Sequence, residues 1–453
     1  MVDFAVNRLF IEDQLGAGFL ADPGVGKTFA TLLTLDSLIS FDHVQRALIV
    51  GPTRPLDLVW PQEIKKFGFN FKSQRVDDDA GKNFRNKDCP LEYISRDSLH
   101  KAVPHANRWD LVIWDESQGN KTWGTDRSRN SRKLLRKNPT AKRMILTGTP
   151  TPNTIADLHA QCYLLDDGAA LGRNVGIFRQ RYMYQGGWQG RKWIVRGGMS
   201  DQILAAMGHL VIRVDAESNL DMPAKIVHDV WVELPKSALK IHKDMKRQYA
   251  AELENDLLIA PNAAAAYMKL RQIANGQVYS GDLKKGDRRV EFVHDAKVEA
   301  LVDLIDELNG KPVLIFYEFM FDAELIQLKL RKSHGPLPIV RGGLKPSETA
   351  ANIERWLEGK HQVLLVQSQA GAEGLNLQTG GCADVCFFGI PDVAGNYLQG
   401  LSRIYRQGGA RSVRIHRFVT KDTVEVTNLD RLDGKITDQA EYLQRLKDFA
   451  IGA

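Results

Sequence analysis

A chain of 453 residues is too long for one ordinary core and implies two or three domains. Its composition, 43% hydrophobic and 26% charged, is that of a globular protein, and no run of about 18 apolar residues is present to span a bilayer. The 61 basic and 55 acidic residues leave a net charge of +6, compatible with a polyanionic partner but too small an excess to assign one.

The first residues, MVDFAVNRLFIEDQ, have no basic start, apolar centre or small-residue cleavage site, so the expected location is cytoplasmic, or nuclear if the host has a nucleus. Phe4, Ala5, Leu9 and Phe10 space out an amphipathic helix. Short apolar runs then alternate with polar helical stretches: GAGFLAD, RALIVGP, LEYIS, DLVIWDE and KRMILTGT read as strands of a parallel sheet covered by helices. From about Leu158 to Ile226 the pattern turns irregular, and Pro235 to about Gln277 reads as a helical stretch rich in Lys and Ala. The run Gly187 to Trp193 reads either as a stacking, charged insertion or as a protected hydrophobic hairpin. The strand–helix rhythm resumes with KPVLIFYEF, LPIVRGG, QVLLVQS, ADVCFFG and VRIHRFV. This predicts an α/β protein with two parallel-sheet lobes: residues 1–165, insertions and a connector at 166–290, and a second lobe at 291–453.

Four cysteines, Cys89, Cys162, Cys382 and Cys386, are too few and scattered for a disulfide framework and fit a reducing compartment. Strand alternation through CADVCFFG turns Cys382 and Cys386 to one face, which reads as two buried thiols rather than half a zinc site.

Two motifs carry chemistry. After the strand GFLAD comes ADPGVGKT, Ala21 to Thr28, followed by the helical FATLLTLDSLI, which is the strand, glycine loop and helix order of a phosphate loop. Asp22, Gly24, Val25 and Gly26 form the loop whose N–H groups cradle phosphate; Lys27 reaches the outer phosphates, and Thr28 offers a hydroxyl to Mg²⁺. Trp114-Asp115-Glu116-Ser117-Gln118 ends the apolar strand LVIW. Asp115 is expected to hold Mg²⁺ through water and Glu116 to polarise the attacking water.

With ALIVGPTRPLDLVWPQEIKKF (Trp60, Glu63), YISRDSL, LTGTPTPN, LVIRVDAESNLDMPAK, MKLRQIANG, SQAGAEGLNLQ and QGLSRIYRQGG in order, the chain resembles superfamily-two helicase-like ATPases of the Swi/Snf type. The resemblance implies two RecA-like lobes with helical insertions between them, and an ATP-hydrolysing motor that uses Mg²⁺ and moves along double-stranded DNA. A strand-separating helicase and a nucleotide-gated clamp are the alternatives. It implies that Gln399, Arg403 and Arg406, sharing one helical face, approach the nucleotide with Arg406 as the arginine finger, and that Gly374 also lies there. Thr53, Ser368 and Gly371 are implied as sequence-independent backbone contacts, and Gln118, Thr147, Gly148 and Thr149 as coupling residues.

The chain departs from the family pattern at Gln118, Met222, Ala372 and Gly409. The Gln118 change puts coupling in doubt rather than hydrolysis. A nuclease or replication-repair partner would reside on a separate chain. Gln14 lies too close to Lys27 to match the family's adenine-reading glutamine, so a beginning cut short, an incomplete base pocket and near-equal use of GTP and ATP are expected.

Overall fold

Parallel strands covered on both faces must bury every side chain, and the first half of the chain is built from such strands. The computed structural model describes residues 1–77, 89–151, 154–186, 192–219, 221–254, 261–281, 289–371, 377, 381–392, 394–405 and 412–434. The chain divides into two compact units, Met1–Asp221 and Met222–Ala453.

In the first unit β1 (Gly16–Ala21), β2 (Ala47–Gly51), β3 (Ser73–Arg75), β4 (Leu91–Ser95), β5 (Leu111–Asp115) and β6 (Lys142–Thr147) form one parallel sheet. All positions of β1, β2 and β4 are buried. The hairpin of β7 (Met183–Gly186) and β8 (Lys192–Val195) lies apart from this sheet, whereas β9 (Val211–Val214) joins it. The spatial order is β3-β4-β2-β5-β6-β1-β9. Alternation within β5 sends Val112 and Trp114 into one core and Leu111 and Ile113 into the other.

The amphipathic spacing at the start is realised as a helix Val2–Val6 continued by a π-helical turn Asn7–Ile11, with Ala5 and Leu9 buried and Phe4 and Phe10 partly buried against the same core. Gln14 donates its side-chain amide to Glu12 O at 3.1 Å. Of the tryptophan-rich insertion, Gly187, Trp188, Gln189, Gly190 and Arg191 lie outside the described residues, while Trp193 packs on the first core with the Arg179 guanidinium 5.2 Å from its ring.

The second unit pairs β10 (Ala224–Val232) in parallel along the whole of β17 (Ser412–Thr420). A small hairpin, β11 (Gln277–Ser280) with β12 (Arg289–Phe292), follows the helix Pro261–Asn275. The sheet is completed by β13 (Val313–Tyr317), β14 (Ile339–Val340), β15 (Val363–Gln367) and β16 (Asp384–Phe387), in the order β10-β17-β16-β13-β15-β14. Both units are thus parallel α/β lobes of RecA-like build.

The segment 166–290, expected as insertions and connector, divides between the units, because β9 extends the first sheet and β10 opens the second. The four residues of β9 are too few to show a period, and β10 is exposed or half-exposed at all but its last residue, so no buried apolar run marks it. Cys382 and Cys386 are both buried, but on opposite faces of the second sheet. The expectation of one shared face fails because the strand begins only at Asp384, so the alternation does not run back to Cys382.

Candidate nucleotide site

β1 ends at Ala21, and the helix Lys27–Ser40 starts after a loop of five residues. The turn between them requires left-handed backbone at Gly24 (φ +92°) and Gly26 (φ +83°), which glycine adopts without a Cβ penalty. Gly26 is the N-cap and supplies no side-chain acceptor, so the helix presents its first N–H groups to an incoming anion rather than to a capping oxygen. The Lys27 ammonium donates to Ala21 O at 2.6 Å and Asp22 O at 3.0 Å, folded over the mouth of the loop, and Thr28 follows in the same first turn. The Asp22 carboxylate accepts from Ala216 N at 3.0 Å while Asp22 N donates to Val214 O at 2.9 Å, which anchors the loop to the end of β9.

Asp115 closes β5. Its Oδ2 accepts from the Trp60 indole N–H at 3.0 Å and its Oδ1 from Glu116 N at 3.0 Å. Asp115 keeps some surface at the strand end, but its carboxylate is crowded by protein. Loss of solvent, then the neighbouring Glu116 charge, push its pKa up to about 6 against the opposing pull of Trp60 and Lys27. Glu116 is held at φ +50°, ψ +55°, a conformation that is rare and costly for a non-glycine residue and that recurs at functional positions. Gln118 donates to Glu116 Oε2 at 2.7 Å and accepts from Thr147 Oγ1 at 2.7 Å, and Thr149 N donates to Thr147 Oγ1 at 3.0 Å.

One chain of hydrogen bonds therefore runs from Glu116 to the loop after β6. That loop lies on the phosphate loop: a Cβ at Gly148 would sit 3.0 Å from Pro23 and 3.4 Å from the Lys27 ammonium nitrogen. Ser117 is fixed from behind, donating to Gln161 Oε1 at 2.8 Å, while Gln161 donates to Pro150 O at 2.7 Å.

This arrangement suits a phosphate-bound Mg²⁺. Two adjacent carboxylates, one of them poorly solvated, repel each other, and a divalent cation would relieve that repulsion. Among the described residues no cluster of three or more His, Cys, Asp or Glu forms an all-protein cage, and Mg²⁺ in phosphate sites is held by one or two carboxylates plus phosphate oxygens. Thr28, in the first turn of the helix Lys27–Ser40, and Asp115, at the end of β5, carry the oxygens that could hold it. Sequence reasoning noted Trp60 within the family-like segment but overlooked its indole as a partner of Asp115; nothing in the local sequence of the helix Thr53–Lys66 points to a residue 55 positions away.

In the second unit the helix carrying Gln399 spans Ala394–Leu401 and stops before Arg403. The helix expected to carry Gln399, Arg403 and Arg406 on one face thus ends before Arg403 among the described residues, and Arg406 lies outside them. Beyond Leu401 the chain continues as turns, with Arg403 N bonded to Gly400 O and Ile404 N to Leu401 O at 3.1 Å and Tyr405 N to Leu401 O at 2.9 Å, and Gly400 packs so that a Cβ there would sit 3.1 Å from the Phe316 ring. Arg403 is buried. Arg406, Gly374, Ala372 and Gly409 lie outside the described residues. Thr53 is exposed at the start of its helix; Ser368 is buried, its hydroxyl donating to Tyr317 O at 3.2 Å, and Gly371 ends the short helix Ser368–Gly371.

Residues 9–278 match the SNF2-related domain and residues 296–408 the helicase conserved C-terminal domain. Protein p41 of Acyrthosiphon pisum secondary endosymbiont phage 1 is 30% identical over 448 residues, covering 94% of each chain. YwqA of Bacillus subtilis, named as an ATP-dependent helicase/translocase, is 23% identical over 453 residues, and the ATP-dependent helicase MG018 of Mycoplasma genitalium 25% over 430. The chain covers 96% and 92% of its own length in these matches but spans only 47% of YwqA and 39% of MG018. The solved Sulfolobus solfataricus SWI2/SNF2 ATPase core in complex with dsDNA aligns over 99% of this chain and 95% of its own, at 18% identity and a TM-score of 0.43.

Proposed function

The chain belongs to the SNF2-related family of helicase-like ATPases, and from that premise we propose that it hydrolyses ATP to move along double-stranded DNA without obligatory strand separation. The observation that carries the reading is the linked site of the first unit: an uncapped glycine loop with Lys27, beside Asp115 and Glu116, with Glu116 bonded through Gln118 to Thr147. The loop N–H groups and Lys27 bind the β- and γ-phosphates. Thr28 and Asp115 would hold Mg²⁺, which would supply positive charge against the phosphoryl oxygens. Glu116 orients and deprotonates the attacking water, and hydrolysis alters the Gln118–Thr147 contact, which is the first movement passed towards the track. Arg406 acts as the finger that stabilises the transition-state charge. On the nucleic-acid side, the exposed Thr53 is offered as a backbone contact, together with the main chain at Ser368 and Gly371 because the Ser368 hydroxyl is committed to Tyr317.

The test is the ATPase rate measured side by side with no nucleic acid, duplex DNA, single-stranded DNA and duplex RNA. Duplex DNA is expected to stimulate most, with little dependence on sequence and a steep loss with salt, since phosphate contacts dominate. The protein is also expected to displace a third strand from a triplex. Stronger stimulation by duplex RNA overturns the DNA assignment, and efficient unwinding of a fork without triplex displacement makes the protein a strand-separating helicase.

A further inference from the structure

Trp60 sits on the buried face of the helix Thr53–Lys66 with Leu56 and Ile64, one turn to either side, packed into the same core as Ile49, Tyr93 and Ile113. A fully buried indole needs an acceptor for its N–H, and here the acceptor is the carboxylate of Asp115, 55 residues away in sequence. We propose that Trp60 is a positioning residue for the ATPase, its N–H fixing the orientation of Asp115 toward the metal of the bound nucleotide. This rests on the reading of Asp115 as a Mg²⁺ ligand given above.

The chemistry favours this donor over others. An ionised carboxylate offers about four acceptor sites. The indole takes one on Oδ2 and Glu116 N takes one on Oδ1, so both oxygens are tethered and each retains a lone pair. A Lys or Arg at position 60 would tether the carboxylate as well, but its charge would oppose the cation. The indole N–H is neutral and donates without competing for that role. The rigid ring also holds its N–H where a flexible side chain would swing away, and Gly51 assists: a Cβ there would meet the Asp115 Cβ at 3.3 Å.

The decisive experiment removes the N–H and keeps the ring. In one variant the Trp60 indole is replaced by benzothiophene, which has sulfur in place of N–H; Trp60→Phe is the coarser companion. Affinity for a fluorescent ATP analogue is measured in EDTA and in Mg²⁺, and kcat and KM are measured with saturating duplex DNA. The metal-free affinity is expected to stay within about twofold, the affinity gained on adding Mg²⁺ to shrink about tenfold, and kcat to fall about tenfold, as for loss of one hydrogen bond to a charged group. Should the benzothiophene protein melt like its parent, gain as much from Mg²⁺ and turn over within about twofold, Trp60 is only a packing residue and the inference is wrong. If Lys27→Ala also leaves nucleotide binding intact, the assignment of the whole site falls, not only the role of Trp60.

Discussion

Asp115 in the first unit and Asp322 in the second are both carboxylates starved of solvent, but their surroundings differ in kind. Burial, opposed by hydrogen bonds from Phe319 N and Asn275, raises the Asp322 pKa to about 7. Its Oδ2 accepts from Phe319 N at 2.8 Å, Asn275 Nδ2 at 3.0 Å and Glu318 N at 3.2 Å. The network continues inward: Asn275 Oδ1 accepts from Lys297 at 2.9 Å, and fully buried Lys297 pairs with Glu425 at 2.6 Å. Glu425 in turn accepts from Thr420 N and Ile390 N. The Lys297–Glu425 pair and its donors close on one another, locking the helix Pro261–Asn275 onto the second sheet, while Asp322 Oδ1 is buried and takes no hydrogen bond among the described residues, as suits a carboxyl that burial keeps protonated. Asp115 instead has two donors, a like-charged neighbour and a nearby ammonium, an arrangement that a cation and phosphates complete. Burial alone therefore does not mark a functional carboxylate; an electrostatic demand left for a ligand does.

Substitutions can break this contrast. Glu116→Gln is expected to leave ATP bound and slow hydrolysis by about 10²–10⁴-fold, the range for loss of a general base; turnover near the parent rate would remove Glu116 from the mechanism. In the closed network of the second unit, Lys297→Met strands the Glu425 charge and should cost about 3–5 kcal/mol of stability in denaturant unfolding, while replacing Lys297 and Glu425 together by apolar residues costs much less. Equal losses for the single and double variants would mean that the pair is not what closes that network.

The two carboxylates also predict opposite pH effects. The ATPase needs Asp115 ionised, so kcat/KM should fall as pH drops through about 6, the value burial gives it in the free protein; a profile flat down to pH 5 contradicts this. For Asp322 the folded pKa of about 7 lies above the 3.8 of a free aspartate side chain, so between those values the folded state binds more protons than the unfolded one. Stability should therefore decline as pH rises across that window, and Asp322→Asn should flatten the decline in melts recorded from pH 4 to 8. The smallest effect is expected from Gln118→Ala, which cuts the bond between Glu116 and Thr147: ATP affinity unchanged, turnover about tenfold lower. A turnover loss with base pairs moved per ATP unchanged would confine Gln118 to hydrolysis and remove it from coupling.

Local chemistry alone determined a good deal about this protein. Ten largely apolar runs identified ten strands of the two sheets, because a strand buried on both faces is apolar along most of its length, with buried charges such as Glu92, Arg143 and Asp384 the exceptions. The phosphate loop was legible because its φ values admit only glycine at Gly24 and Gly26, and the acids because they follow an apolar strand. Tertiary structure decided the rest. β9 and β10 are stabilised by partners distant in sequence, through β1 and β17, and neither carries a buried period of its own. The bond from Trp60 to Asp115 and the Glu116–Gln118–Thr147 chain join residues whose proximity depends on which strands are neighbours in the sheet, and strand order leaves no mark in the local sequence. The helix carrying Gln399 ends at Leu401, shorter than the periodicity suggested, and Gly400 within it packs on Phe316, a contact between segments 84 residues apart that local sequence does not announce.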